Sequence, residues 1–267
     1  MTTVQELYEL WAGDSELRAE LERSLEPRGR EWLFERFAEL GPRPEQLLVD
    51  VGARDGRHAI RLVREHGLRA VAIDPVPRHI ELARAAVAEA GLEERLDVVE
   101  GAIESLPLDD GTVDWIWCRD VLVHVDAPRG FAECARVLRP GGSVLAYVTL
   151  AGERLEPRER AELVRGVALV DQSLEAASLE AAARHAGLEL VSEERLGSEW
   201  RERMLEDGEW DVAGDLLRLA RLRRREPELR ARDGDAFADA YAGSVTWGIY
   251  QLLGKLWPTV YVWERRV

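Results

Sequence analysis

Residues 47–74 constrain the fold of this chain more than any other stretch. Leu47 to Gly56 reads LLVDVGARDG. A short apolar run ends in an acid and breaks into a turn bracketed by Gly52 and Gly56. Arg57-His58-Ala59-Ile60 then opens an apolar-periodic segment. The pattern predicts a buried strand, a tight turn and a helix N-terminus. Glycine lets backbone approach a ligand closely and adopts positive φ at little cost. A helix start offers unpaired N–H groups and a partial positive charge. The turn therefore suits a nucleotide-like ligand carrying an anionic group. Asp74 ends the next apolar run, VAIDP, at the ~20-residue distance from which an acid reaches ribose hydroxyls.

Strand and helix patterns alternate from there to residue 150. The sequence predicts strands at 47–51, 69–74, 95–100, 113–118 and 142–149, and helices at about 56–66, 77–90 and 128–138. Such alternation implies a parallel, doubly wound α/β sheet with helices on both faces. Ligands on these sheets sit at the strand C-terminal ends. Gly52, Asp74, Ala102 and Cys118 to Asp120 all fall there. A helix over 173–186 is expected to be capped by Ser173 and stopped by Gly187. Strands follow at 188–193 and 259–264. Residues 198–257 between them read as helical, with breaks at Gly208, Gly214 and Pro227, and predict an inserted helical subdomain that roofs a pocket. Residues 4–40 read as two or three short helices. Leu7, Leu10 and Trp11 make one apolar face, and Trp32, Leu33, Phe37 and Leu40 another.

Asp50-Val51-Gly52-Ala53-Arg54-Asp55-Gly56 resembles the first motif, Asp-x-Gly-x-Gly-x-Gly, of class I S-adenosylmethionine-dependent methyltransferases. Val71 to Pro75, Leu106-Pro107-Leu108 leading into Val113 to Cys118, and Val137 to Gly142 agree in order and spacing. The resemblance covers roughly residues 45–150. It implies a Rossmann-like, mostly parallel seven-stranded sheet with an antiparallel last strand. It also implies S-adenosylmethionine as cofactor, with S-adenosylhomocysteine as product. Two positions depart from the pattern. Arg54 replaces the middle glycine, where positive φ would cost on the order of 1 kcal/mol. Its guanidinium can pair with the methionine carboxylate or point outward. Ala102 replaces an acid that accepts from the adenine amino group. The cofactor residues implied are Asp50, Gly52, Ala53, Arg54, Gly56, Asp74, Pro75, Ala102, Ile103, Cys118 and Arg119.

Methyl transfer is an in-line displacement that depends on alignment and exclusion of water. The turn after the fourth strand lies beside the methyl in the resembled family. There, Asp120 and His124 share a face if the turn is helical, and the pair can orient an imidazole as general base. In the alternative reading, His124 only packs and bonds the backbone. Arg119 binds an acidic substrate or pairs with Asp120. Tyr8, Trp11, Tyr147, Trp200 and Arg201 are the candidate substrate contacts. For Tyr8 and Trp11 the alternative is a simple anchor to the core, and for Trp200 and Arg201 a capped helix start.

The expected organisation is an N-terminal cap (1–44), a core (45–197 with 258–267) and a substrate cap (198–257). A net charge of −15 disfavours nucleic acid as partner. No run approaches the ~20 apolar residues that span a membrane. Cys118 and Cys134, both placed in core elements, fit a reducing cytoplasm. No Cys/His cluster has zinc spacing. The expected function is an O- or N-methyltransferase of a small metabolite, monomeric or homodimeric. The alternatives are a nucleoside-binding relative without turnover, and an NAD-dependent oxidoreductase, whose G-x-G-x-x-G is not satisfied.

Overall fold

The computed structural model describes residues 2–13 and 16–266. Its centre is a seven-stranded sheet: β1 (Leu47–Val51), β2 (Arg69–Asp74), β3 (Leu96–Glu100), β4 (Val113–Arg119), β5 (Leu138–Ala151), β6 (Leu188–Arg195) and β7 (Leu256–Arg265). The spatial order is β3-β2-β1-β4-β5-β7-β6. β7 runs antiparallel to both β5 and β6, and the other neighbours are parallel. The order reverses beside β1, between β2 and β4. This is the switch point at which a crevice opens above the strand ends.

Twelve helices are described. They are α1 (Val4–Ala12), α2 (Glu16–Leu21), α3 (Arg30–Glu39), α4 (Arg57–His66), α5 (Pro77–Ala90), α6 (Ala127–Val137), α7 (Pro157–Gly166), α8 (Ala176–His185), α9 (Glu199–Glu206), α10 (Val212–Arg224), α11 (Glu226–Asp233) and α12 (Asp235–Leu252). Side chains alternate across β1, as a strand requires. Leu48 packs on one face with Phe34, Phe37, Leu62 and Trp117. Val49 and Val51 pack on the other with Phe131, Cys134 and Leu179. Both cysteines are free and buried. No helix among the described residues is long and apolar enough to cross a membrane.

Several boundaries differ from the expectation. β5 starts at Leu138 rather than 142, because Leu138 pairs with Val113 across an irregularity in the β4 ladder. α8 starts at Ala176. Ser173 lies instead in a 3-10 turn and donates to the Val125 carbonyl at 3.4 Å. Gly214 does not break a helix: Asp211 caps its N–H at 2.8 Å in the first turn of α10. The apolar face expected on α1 is exposed, and neither α1 nor α2 buries a residue.

Candidate active site

Two adjoining cavities lie above the C-terminal ends of the central strands. The larger encloses about 840 Å³ and is lined by the β1–α4 turn, Asp74 to Val76, His79, Arg119 to Val121 and His124. The smaller, about 410 Å³, lies between residues 26–35, the ends of β4 and β5, and α9. They share Arg30, Glu31, Arg119 and Asp120.

The β1–α4 turn is built as its glycines predict. Gly52 has φ 71° and Gly56 φ 72°. A Cβ on Gly52 would run into Val121 Cγ2, so the turn comes this close to the neighbouring loop only because the side chain is missing. Arg54 holds φ 50° without that freedom. Its N–H donates to Asp74 Oδ2 at 3.0 Å, which ties the strained residue to β2. The guanidinium itself has no partner among the described residues and lies on the cavity wall. Asp74 Oδ1 accepts from Val76 N and faces His79 Nδ1, each at 2.9 Å.

Asp50 is buried, and its Oδ2 has no hydrogen-bond partner among the described residues. Burial pushes its pKa up to about 7, against the pull of the Ala59 N–H and the Arg119 charge. Arg119 Nε is likewise buried without a partner. The Arg119 guanidinium stands 5.7 Å from the Tyr147 ring and 5.3 Å from the Trp200 ring. It does not pair with Asp120. Unpaired buried polar groups are rare and costly, and these two line one cavity.

Asp120 sits at φ 53°. Its Oδ1 accepts from Thr149 N at 3.1 Å and Thr149 Oγ1 at 2.9 Å. These bonds fasten the turn after β4 onto β5 and leave Oδ2 without a hydrogen bond among the described residues. Burial raises its pKa, offset by the Arg119 charge and the Thr149 bonds. Asp120 and His124 form no hydrogen bond with each other, because the turn passes through a left-handed residue and continues as a 3-10 turn over Leu122–His124. His124 is exposed, and its Nδ1 donates instead to the Ala168 carbonyl at 3.2 Å. That leaves the lone pair on Nε2.

Other expected contacts fall outside the site. Cys118 is buried in the core, with its thiol pushed up to about 12 by burial. Ile103 is buried against Gly130, and Ala102 bridges to Ser105; neither lines the cavity. Tyr8 and Trp11 meet edge to face, with ring centroids 5.4 Å apart, and remain 62% and 65% exposed. Tyr147, Trp200 and Arg201 do line the smaller cavity, with the two rings 4.6 Å apart.

The sequence reading missed His58, Arg61, Phe34 and His79, which all line the larger cavity. His58 and His79 occupy the first turns of α4 and α5, which on this sheet open at the strand C-terminal ends. That position is the signal that could have found them. Burial lowers the pKa of His58 to about 4, so it is neutral. Trp117 Nε1 donates to its Nδ1 at 3.3 Å, which puts the ring proton on Nε2.

Residues 49–146 match a family model described as a methyltransferase domain. An uncharacterised methyltransferase of Mycobacterium bovis is 34% identical over 142 residues, 53% of this chain and 53% of that one. A sarcosine/dimethylglycine N-methyltransferase of Halorhodospira halochloris is 34% identical over 103 residues, 38% of this chain and 37% of the relative. The chain thus spans about half the length, or less, of these curated relatives. In fold it is similar to a putative sarcosine dimethylglycine methyltransferase from Galdieria sulphuraria. The TM-score is 0.67 at 20% identity, covering 88% of this chain and 84% of the other. Over residues 49–146 the chain thus matches a methyltransferase domain, a class of domain that takes S-adenosylmethionine as cofactor. The orphaned Asp50 and Arg119 atoms and the close-approach turn at Gly52 fit such a ligand.

Proposed function

We propose that this protein is a methyltransferase that transfers a methyl group from S-adenosylmethionine to an O or N atom of a small-molecule metabolite. The observation that carries the reading is the junction of the two cavities at Arg119 and Asp120. A cofactor in the larger cavity and an acceptor in the smaller one would meet there.

In this reading Asp50, Gly52, Ala53, Arg54, Gly56, Asp74 and Pro75 hold the cofactor, joined by His58 and His79. The bound cofactor supplies an electrophilic methyl group. Tyr147 and Trp200 exclude water around the acceptor. Alignment of this kind supplies several kcal/mol of the barrier reduction, at order of magnitude. Asp120 is the first candidate base: it lines both cavities, its Oδ2 is free of hydrogen bonds among the described residues, and burial makes the carboxylate more basic. His124 is the second, with its Nε2 lone pair free, although it lines the larger cavity only. The two buried thiols fit a reducing, cytoplasmic setting.

The test is calorimetric titration of S-adenosylmethionine and S-adenosylhomocysteine into the protein, with NAD as control, followed by turnover on a metabolite panel. Micromolar binding of both without an NAD signal is expected. Failure of both to bind sinks the reading. Asp120→Asn and His124→Asn then separate the bases. The true base should lose its limb of the pH–rate profile, and the other should keep both the profile and its height.

A further inference from the structure

Every arginine that α9 and residues 26–32 contribute to the smaller cavity has a carboxylate, except one. Arg28 donates to both oxygens of Glu199, Arg30 pairs with Glu209, and Arg203 pairs with Asp207. Arg201 has no carboxylate paired with it among the described residues. Its Nε donates to Gln251 Oε1 at 2.6 Å and its Nη1 approaches Met204 Sδ at 3.4 Å. Nη2 has no partner among the described residues. Trp210 lies 5.1 Å beneath the guanidinium. On the other side of the cavity, Arg119 makes neither hydrogen bond nor ion pair among the described residues, and its Nε is sealed from water.

Asp120 is the carboxylate at this end of the cavity, and its Oδ1 is engaged by Thr149. The same Thr149 Oγ1 accepts from Gln251 Nε2 at 3.0 Å. Asp120, Thr149, Gln251 and Arg201 therefore form one hydrogen-bonded chain that fixes the guanidinium without neutralising it. At this point two arginines face Asp120, with Asp50 acting on Arg119 from the larger cavity; Glu26 and Glu35 also line the smaller cavity, in a chain whose overall charge is −15. Two half-buried guanidinium groups without an ion pair among the described residues gain from a ligand that supplies an anion. Arginine presents a planar fork suited to carboxylate and phosphate oxygens.

We propose that the smaller cavity is an anion subsite in which Arg201 and Arg119 grip a carboxylate or phosphate carried by the methyl acceptor, so that the substrate is an acidic metabolite. This rests on the methyltransferase reading for the word acceptor, but the anion site can be tested without it. Arg201 lies wholly within the smaller cavity, whereas Arg119 serves both. Arg201 is therefore the residue that separates acceptor binding from cofactor binding.

The experiment records the ¹H–¹⁵N resonances of the arginine side-chain Nε–H groups in protein loaded with S-adenosylhomocysteine. Acetate, inorganic phosphate and pyrophosphate are titrated in turn. Saturable shifts of the Arg201 and Arg119 signals are expected, and the tighter-binding anion assigns the acceptor to the carboxylic or the phosphorylated class. Arg201→Gln should weaken anion binding on the order of tenfold to a hundredfold. Its affinity for S-adenosylhomocysteine should stay within about threefold. Arg201→Lys, which keeps the charge, should recover part of the loss; recovery excludes a mere folding defect. The proposal is overturned if no anion moves either signal, or if Arg201→Gln binds anions like the parent. Should S-adenosylhomocysteine itself fail to bind, the methyltransferase reading falls, and the same titration on ligand-free protein decides the anion site alone.

Discussion

Asp50 shows how a single residue connects cofactor binding to stability. It is the penultimate residue of a strand whose other positions are apolar, is 3% exposed, and has one oxygen unpartnered among the described residues. Burial raises its folded pKa to about 7, above the ordinary 3.8, with Arg119 pulling it down and Asp74 and Asp55 pushing it up. The native state therefore binds a proton that the unfolded chain has released across that window. Stability from this residue falls as pH rises from about 4 to about 7, and levels off above. Asp50→Asn removes the effect. The variant should melt like the parent near pH 4 and gain on it up to pH 8, by on the order of 2–4 kcal/mol. Its cofactor affinity should fall meanwhile. Denaturant titrations at several pH values check this, and a gap independent of pH would refute it. The glycine turn was legible in the sequence because Gly52 and Gly56 report backbone geometry directly. Asp120 was not, because no neighbouring residue signals that an aspartate will take a left-handed φ and bond Thr149, 29 residues away.

Among the elements, the alternating core was legible for the same reason that it is stable. β1, β2 and β4 are short apolar runs between turn residues, and their registers follow once α4 and α5 pack against them. The walls of the smaller cavity were less legible, because they come from contacts distant in sequence. Arg28 donates its backbone N–H, Nε and Nη2 to Glu199, and Nη2 also to the Arg195 carbonyl. This clasp holds the segment before α3 against the start of α9, whose Trp200 and Arg201 line the cavity. Of the expected substrate cap, α9 reaches the site, whereas α10 and α11 pack on α12, and α12 on α7. Arg28→Ala should therefore cost about 1 kcal/mol of stability, as expected for a bidentate pair that is partly exposed. It should raise the KM of the acceptor while leaving the Kd of S-adenosylhomocysteine unchanged. A loss of cofactor affinity as large as the rise in KM would show that the clasp supports the whole crevice instead.

At the scale of the molecule, the chain divides unevenly between a packed body and an N-terminal pair of helices that adds little to it. The sequence offered Tyr8 and Trp11 either as aromatic contacts of the site or as an anchor of this helix to the core. Spacing reports which face is apolar but not what covers it. In the structure that face is open: Val4, Tyr8, Leu10 and Trp11 are each more than 60% exposed. α1 is held by its own capping box, with Glu6 N donating to Thr3 Oγ1 and Thr3 N donating to Glu6 Oε2. A nine-residue helix with no buried residue gains little from packing. Removing residues 2–13 should therefore shift Tm by less than about 2 °C, since even 1 kcal/mol moves a domain of this size by only ~2–4 °C. Affinity for S-adenosylhomocysteine should stay within about threefold. A tenfold loss, with Tm unchanged, would mean that Tyr8 and Trp11 fold onto the cleft once the cofactor is bound, as the first of the two sequence readings has it.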